Sequence, residues 1–185
     1  MAYIDFMSVV HRSTQRDYLG RVNDPEYPKA KAAELAKKWA YDYWDGDRRI
    51  NYGGYRYMEG RWDKVAKAMA DHYGLKPGDR VLDVGCGKGF LVFDFTKVIP
   101  GIDIRGIDIS SYAIEHAKIE VKPKLEVANA TSLPFPDGYF DFVYSLNTLH
   151  NLHNYDLEKA LREIERVGKR NKYICVESYR NEVEK

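Results

Sequence analysis

The segment Val81-Leu-Asp-Val-Gly-Cys-Gly-Lys-Gly-Phe90 limits what this chain can fold into more than any other. An apolar stretch over Arg80 to Val84 reads as a strand, and three glycines at alternate positions turn the backbone into an apolar helix over Gly89 to Val98. The pattern then repeats. Ile102 to Ile107 reads as a strand, Ser111 to Lys118 as a helix capped by Ser110, and Leu125 to Ala128 and Phe140 to Ser145 as two more strands. An amphipathic helix over Asp156 to Val167 and a strand over Lys172 to Glu177 complete the series. Alternation of this kind predicts an α/β fold, a doubly wound and mostly parallel sheet with helices on both faces. Ligands in such a sheet bind at the carboxyl ends of the strands.

Upstream of the turn Leu75-Lys-Pro-Gly-Asp79 the sequence has another character. Tyr27 to Tyr43 reads as one helix, Arg61 to Tyr73 as another with Val65, Ala68, Met69 and His72 on one face, and the first eighteen residues as helical too. Tyr43 to Gly60, with four glycines, reads as a loop. The chain therefore divides into a helical, aromatic-loop cap over 1–75 and a ligand-binding unit over 76–185. All three tryptophans (Trp39, Trp44, Trp62) and five of the fifteen tyrosines fall between residues 39 and 62. The tryptophans read as a staple fixing the cap to the sheet, and Tyr52, Tyr55 and Tyr57 as candidates for a ligand-facing surface.

The loop chemistry selects the ligand. A dinucleotide site needs a small residue where Phe90 stands, which argues against NAD or FAD. Asp83, two residues before the first glycine, suits a positive amino group and repels phosphate, so the ligand is a nucleoside without phosphates. Asp108 closes the second strand, where a carboxylate accepts from both ribose hydroxyls. A third segment follows, Val127-Ala-Asn-Ala-Thr-Ser-Leu-Pro-Phe-Pro-Asp-Gly138.

Together these three segments resemble the class I S-adenosylmethionine-dependent methyltransferases, in particular the small-molecule, type 11-like group, over about residues 76 to 178. The resemblance implies a Rossmann-like sheet and S-adenosyl-L-methionine as cofactor, with S-adenosyl-L-homocysteine as product. It sets Gly85, Cys86, Gly87 and Gly89 against the methionine and ribose, Asp83 near the amino group, Asp108 on the ribose and Ile109 against the adenine. Asn129, where the family usually has aspartate, would accept from the adenine amine through its amide oxygen, and Ala130 would offer its N–H. Ser145 and Leu146, with Asn147, would floor the transferred methyl.

Methyl transfer from a sulfonium needs alignment, desolvation and, for a protonated acceptor, a base; it needs no metal. His150, beyond the fourth strand, is the candidate catalytic base. Tyr52, Tyr55, Tyr57 and Arg61 form the candidate substrate lid. Ser145-Leu-Asn-Thr148 lacks the proline-stiffened tetrapeptide of planar-amine methyltransferases, which disfavours that chemistry. A net charge of +1 carries no nucleic-acid signature, and no apolar run reaches the length of a membrane span. The expectation is a cytoplasmic enzyme acting on a small molecule. RNA or protein methylation, or cofactor binding without catalysis, are the rival readings. Members of this group usually continue past the fifth strand with antiparallel strands, and only eight residues follow Glu177 here. The reading is thus a truncated sheet, or a homodimer in which the partner covers the fifth strand's edge.

Overall fold

The computed structural model describes residues 4–10 and 24–176. Its helices are α1 (Lys29–Ala36), α2 (Tyr41–Trp44), α3 (Asp63–Tyr73), α4 (Phe90–Val98), α5 (Ser111–Glu115) and α6 (Asn154–Val167). Its strands are β1 (Arg80–Val84), β2 (Asp103–Asp108), β3 (Leu125–Val127), β4 (Phe140–Leu146) and β5 (Gly168–Cys175). Single 3-10 turns lie at Lys122–Lys124 and Leu149–Asn151.

The strands form one sheet in the order β3-β2-β1-β4-β5, and every neighbouring pair is parallel. The strand order reverses between β1 and β4. At such a switch point the loops leave in opposite directions and open a crevice at the strands' carboxyl ends. Side chains alternate across the sheet as a pleat requires. Val81, Ile104 and Phe142 pack toward Met69 of α3 and Phe95 of α4, while Leu82, Val84, Ile107 and Val143 pack toward Ala160 and Ile164 of α6. Pairing between β4 and β5 slips between Phe140 and Phe142, and these two rings end on opposite faces. Both faces of the sheet are thus covered by helices, as the alternation predicted.

The connection from β3 to β4 carries no helix. It is an extended segment that buries Leu133 and Phe135 on the α6 side and is clamped by that helix. Arg166 donates to the Phe135 carbonyl (2.7 Å) and the Leu133 carbonyl (3.0 Å) and pairs with Asp137, while Glu163 accepts from the Leu133 N–H at 2.7 Å.

Several boundaries differ from the sequence expectation. The helix expected over Tyr27 to Tyr43 is broken: α1 ends at Ala36 and α2 starts at Tyr41, with Trp39 at φ +52° between them. The break releases the Trp39 carbonyl from helical pairing, and it accepts from Trp44 Nε1 (3.2 Å) and from Ser110 Oγ. α5 stops at Glu115, three residues early, and the Lys118 N–H turns back onto the Lys88 carbonyl at 3.0 Å. β5 starts at Gly168 rather than Lys172, directly off α6. Ser110 caps α5 as expected, accepting from the Ala113 N–H at 3.0 Å. The expected helix over the first eighteen residues lies largely outside the described residues, as does the chain after residue 176. Within 4–10, Asp5 caps a turn and Phe6 packs its ring on His72, Tyr73 and Tyr173.

Candidate active site

The crevice between β1 and β4 is floored by the glycine loop. The N–H groups of Gly85 and Cys86 both donate to the Ile107 carbonyl (2.8 and 2.9 Å), which folds the loop over the end of β2. Cys86 then packs against β2 where Gly106 has no side chain, since a Cβ there would sit 2.7 Å from Cys86 Cβ. A glycine inside a strand is otherwise unfavourable, and this close approach accounts for it.

Two acids lie beside the loop. Asp108 is 7% exposed and accepts from the Gly87 N–H (Oδ2, 2.8 Å) and the Ser110 N–H (Oδ1, 2.9 Å). Burial raises its pKa, and those N–H groups oppose the rise. Asp83 is 4% exposed, and burial, reinforced by the charge of Asp108, pushes it up to about 8. Tyr144 lies close enough to oppose that rise, yet its hydroxyl reaches no partner in good geometry among the described residues.

The cap lies directly on this floor. Trp44 is buried, and its indole covers Gly87, whose φ of +55° and missing Cβ permit the approach; an ideal Cβ would come within 2.9 Å of the ring. Trp44 Nε1 also donates to Ser110 Oγ at 2.9 Å. Tyr55 stacks on Phe90 at 4.9 Å between centroids and packs on Trp44 and Tyr52. Its phenol is raised well above the ordinary range by burial first, then by Tyr52 and Asp83. Burial likewise raises Tyr43, with Tyr52 and then Asp108 adding to it. Tyr43 and Tyr55 therefore lie close enough to Asp108 and Asp83 for the acids' charge to reach them, and Tyr52 packs on both rings. Arg61 lies near enough to draw the Tyr55 pKa back down, with its guanidinium over the Trp62 ring.

The remaining predicted residues divide. Gly89 forms the N-cap of α4, and Ile109, half exposed, stands beside Asp108 as an uncovered apolar wall. The Ala130 N–H donates to no partner among the described residues. Asn129 is corrected in one respect: its side-chain oxygen already accepts from the N–H (3.0 Å) and Oγ1 (2.9 Å) of Thr131, so it is not a vacant acceptor. Ser145 is corrected too. Its side chain is fully buried and donates to the Val84 carbonyl (2.8 Å), tying β4 to the end of β1. Thr148 reaches the loop instead, with Oγ1 placed where a Gly85 Cβ would be. Leu146 is partly buried, and Asn147 holds φ +50° with its N–H on the Cys175 carbonyl. Tyr57 is drawn away from the crevice, donating to Asp94 Oδ1 at 2.6 Å. His150 is exposed on the turn after β4, where Leu149 provides the buried anchor. Among the described residues no group of three or more His, Cys, Asp or Glu could hold a metal ion, and no helix is long and apolar enough to cross a membrane.

Sequence reasoning missed Tyr43, Asp45, Lys88 and Thr148. Lys88 lies in the glycine loop itself, yet it is buried against Asp45, a residue 43 positions away. Nothing local announces such a partner.

Comparison with known proteins agrees with this geometry. Residues 82–176 match the model of the methyltransferase domain family. A demethylmenaquinone methyltransferase of Symbiobacterium thermophilum is 34% identical over 163 residues, covering 83% of this chain and 61% of that protein, so this chain spans about three fifths of that relative. Among solved structures, a Methanococcus maripaludis protein assigned as an S-adenosyl-L-methionine-dependent methyltransferase aligns with a TM-score of 0.55 at 18% identity, over 89% of this chain and 67% of that one, a likeness of fold. The [4+2]-cyclase SpnF aligns with a TM-score of 0.52 at 28% identity, over 68% of this chain and 46% of its own. With more than half its length in the family match and the five parallel strands in the order described, this chain belongs to the class I S-adenosylmethionine-dependent methyltransferase family.

Proposed function

We propose that this chain transfers a methyl group from S-adenosyl-L-methionine to a small-molecule acceptor, with residues 1–75 serving as a lid and residues 76–185 as the cofactor-binding unit. One observation carries the reading: Asp83, a carboxyl only 4% exposed to which, among the described residues, the Tyr144 hydroxyl alone comes near enough to donate, sits at the switch point beside Asp108. Such a group is costly to bury unless a cation completes it. The donor set fits the cofactor. Asp83 would take the ammonium, Asp108 the ribose hydroxyls, Ile109 and the Ala130 N–H the adenine, and the Gly85 to Gly87 backbone the path between them. When bound, the cofactor supplies an electrophilic methyl on sulfur.

The chain's own contribution is a dry, aromatic enclosure. Positive charge at sulfur disperses as the methyl leaves, and Tyr52 and Tyr55, packed on each other and on Trp44 and Phe90, would keep water from the reacting centre. Since His150 is exposed, the reading rests on alignment and desolvation rather than on a general base. A small acceptor agrees with the net charge of +1 and with the demethylmenaquinone in the name of the Symbiobacterium relative. SpnF is named as a cyclase, so the fold also hosts other chemistry, and turnover must be tested directly. The test is incubation with methyl-labelled cofactor against a metabolite extract and, separately, total RNA and total protein. Label in a small organic product supports the reading. Label in RNA or protein, or tight cofactor binding with no labelled product in any pool, overturns it.

A further inference from the structure

Lys88 and Asp45 do more than form an ion pair. Lys88 is only 5% exposed, and its ammonium donates to both oxygens of Asp45 (2.8 and 2.6 Å) and to the Tyr55 carbonyl (3.1 Å). That uses all three of its protons. Asp45 in turn accepts from the Tyr55 N–H (Oδ1, 3.1 Å) and from the Tyr112 hydroxyl (Oδ2, 2.8 Å). The Tyr55 carbonyl is therefore held by Lys88, and its N–H is shared between Asp45 and the Trp44 carbonyl (2.9 Å), so the pair fixes one backbone group of Tyr55 and helps to fix the other. The pair joins three segments: the glycine loop, the first turn of α5 and the lid. Among the described lid residues, the one gripped in this way is the one whose ring stacks on Phe90 and whose phenol senses Asp83. The second contact of the lid with the loop, Trp44 on Gly87, points the same way, because any change in the loop backbone at Gly87 or Lys88 must move the lid.

We infer that Lys88 and Asp45 are a positioning pair that sets Tyr55 over the crevice and makes the conformations of the glycine loop and of the 45–57 lid a single equilibrium. Cofactor contacts at the loop then order the acceptor pocket, and acceptor contacts at the lid tighten the cofactor, by the same factor in each direction. The inference rests on the cofactor site proposed above.

Amide hydrogen exchange on the full chain tests it, using S-adenosylhomocysteine as the probe. In the parent chain, exchange across 50–57 should slow when the probe binds. Asp45→Asn and Lys88→Met should each speed exchange of that segment by about tenfold, the loss of one such hold, and abolish the response to the probe, while α3 and α6 exchange at parent rates. The Asp45→Asn/Lys88→Met double variant leaves no unpaired buried charge. Its exchange across 50–57 should not exceed that of the worse single variant. It also serves if a single variant fails to hold α3 and α6. Parent-like exchange of 50–57 in the variants, additive effects in the double, or binding that slows the glycine loop but not 50–57 would each overturn the pair's role. If the probe fails to bind the parent chain, the cofactor reading falls; the hold on Tyr55 is then decided by the probe-free exchange rates alone.

Discussion

Affinity for S-adenosylmethionine should rise steeply with pH up to about 8, because Asp83 must ionise to meet the cofactor's ammonium. In the ligand-free chain burial raises this carboxyl to about 8, so at neutral pH most molecules carry it protonated. Each pH unit below that value costs about 1.4 kcal/mol, or tenfold in affinity. At pH 8 half of Asp83 is ionised and at pH 6 about one hundredth, so binding at pH 6 should be weaker by at most about fiftyfold. Above about 8 the ligand's own amino group loses its proton, and affinity falls again. Between pH 6 and 7 nearly one proton should leave the complex. Titration calorimetry in two buffers of unlike ionisation enthalpy reads that proton as a difference in heat. A dissociation constant that changes less than about threefold from pH 6 to pH 8, with no buffer-dependent heat, would refute the placement of the ammonium on Asp83. Asp83→Asn should bind more weakly and lose the pH dependence below 8.

Other variants separate roles. Asp108→Ala removes the proposed ribose acceptor and leaves the Gly87 and Ser110 N–H groups without their partner; cofactor affinity should fall by about tenfold or more, with about 1–3 kcal/mol of stability lost per orphaned donor, read by calorimetry and denaturant melts. Gly106→Ala would force a Cβ to within 2.8 Å of Cys86 Sγ and Leu125 Cδ2, so unfolding free energy should drop by about 1–3 kcal/mol. Tyr55→Ala should lower turnover in the labelled-methyl assay more than cofactor affinity; the reverse would assign the ring to cofactor retention. Arg166→Ala frees the Leu133 and Phe135 carbonyls from α6, and both thermal stability and cofactor affinity should fall, since the released segment carries Ala130.

The parallel core was legible because its signals are local. Apolar runs, a serine cap and turn glycines place β1, α4, β2 and α5 within a residue or two at most boundaries, α5's end excepted. The break at Trp39 was not legible: Ala, Lys and Glu around it favour a helix, and what wins is a long-range contact, the Trp39 carbonyl against Ser110. The site divides the same way. Asp83, Asp108 and the glycines announce themselves by position relative to strand ends. Lys88 does not, since a lysine between glycines reads as solvated until Asp45 is brought to it by the lid. At Asn129 and Ser145 spacing tells where a side chain starts, not whether a neighbour such as Thr131 or the Val84 carbonyl already shares its hydrogen bonds.

Three buried acids near the loop and α4 show how function can be told from structure by what each carboxylate is given. Asp108 receives two backbone N–H groups. Asp94 is fully buried in α4; it receives the Tyr57 hydroxyl at 2.6 Å and has Lys97 at 3.7 Å, with Oδ2 left unpartnered. Among the described residues Asp83 has only the poorly aligned Tyr144 hydroxyl. A carboxyl raised from about 4 unfolded to about 8 folded takes up a proton on folding, so its stabilising effect is complete below pH 4 and is lost as pH rises through 8. At pH 8 Asp83 therefore weakens the ligand-free fold, and a chain under selection for stability alone would not keep it. The two acids should consequently respond in opposite ways. Asp94→Ala orphans the Tyr57 hydroxyl and should lower stability by about 1–3 kcal/mol, with or without cofactor. Asp83→Asn should raise the melting temperature of the ligand-free chain at pH 8 and erase the further rise that cofactor gives. If Asp83→Asn instead melts lower than its parent at that pH, the carboxyl belongs to the scaffold, and the cation it awaits must be sought elsewhere.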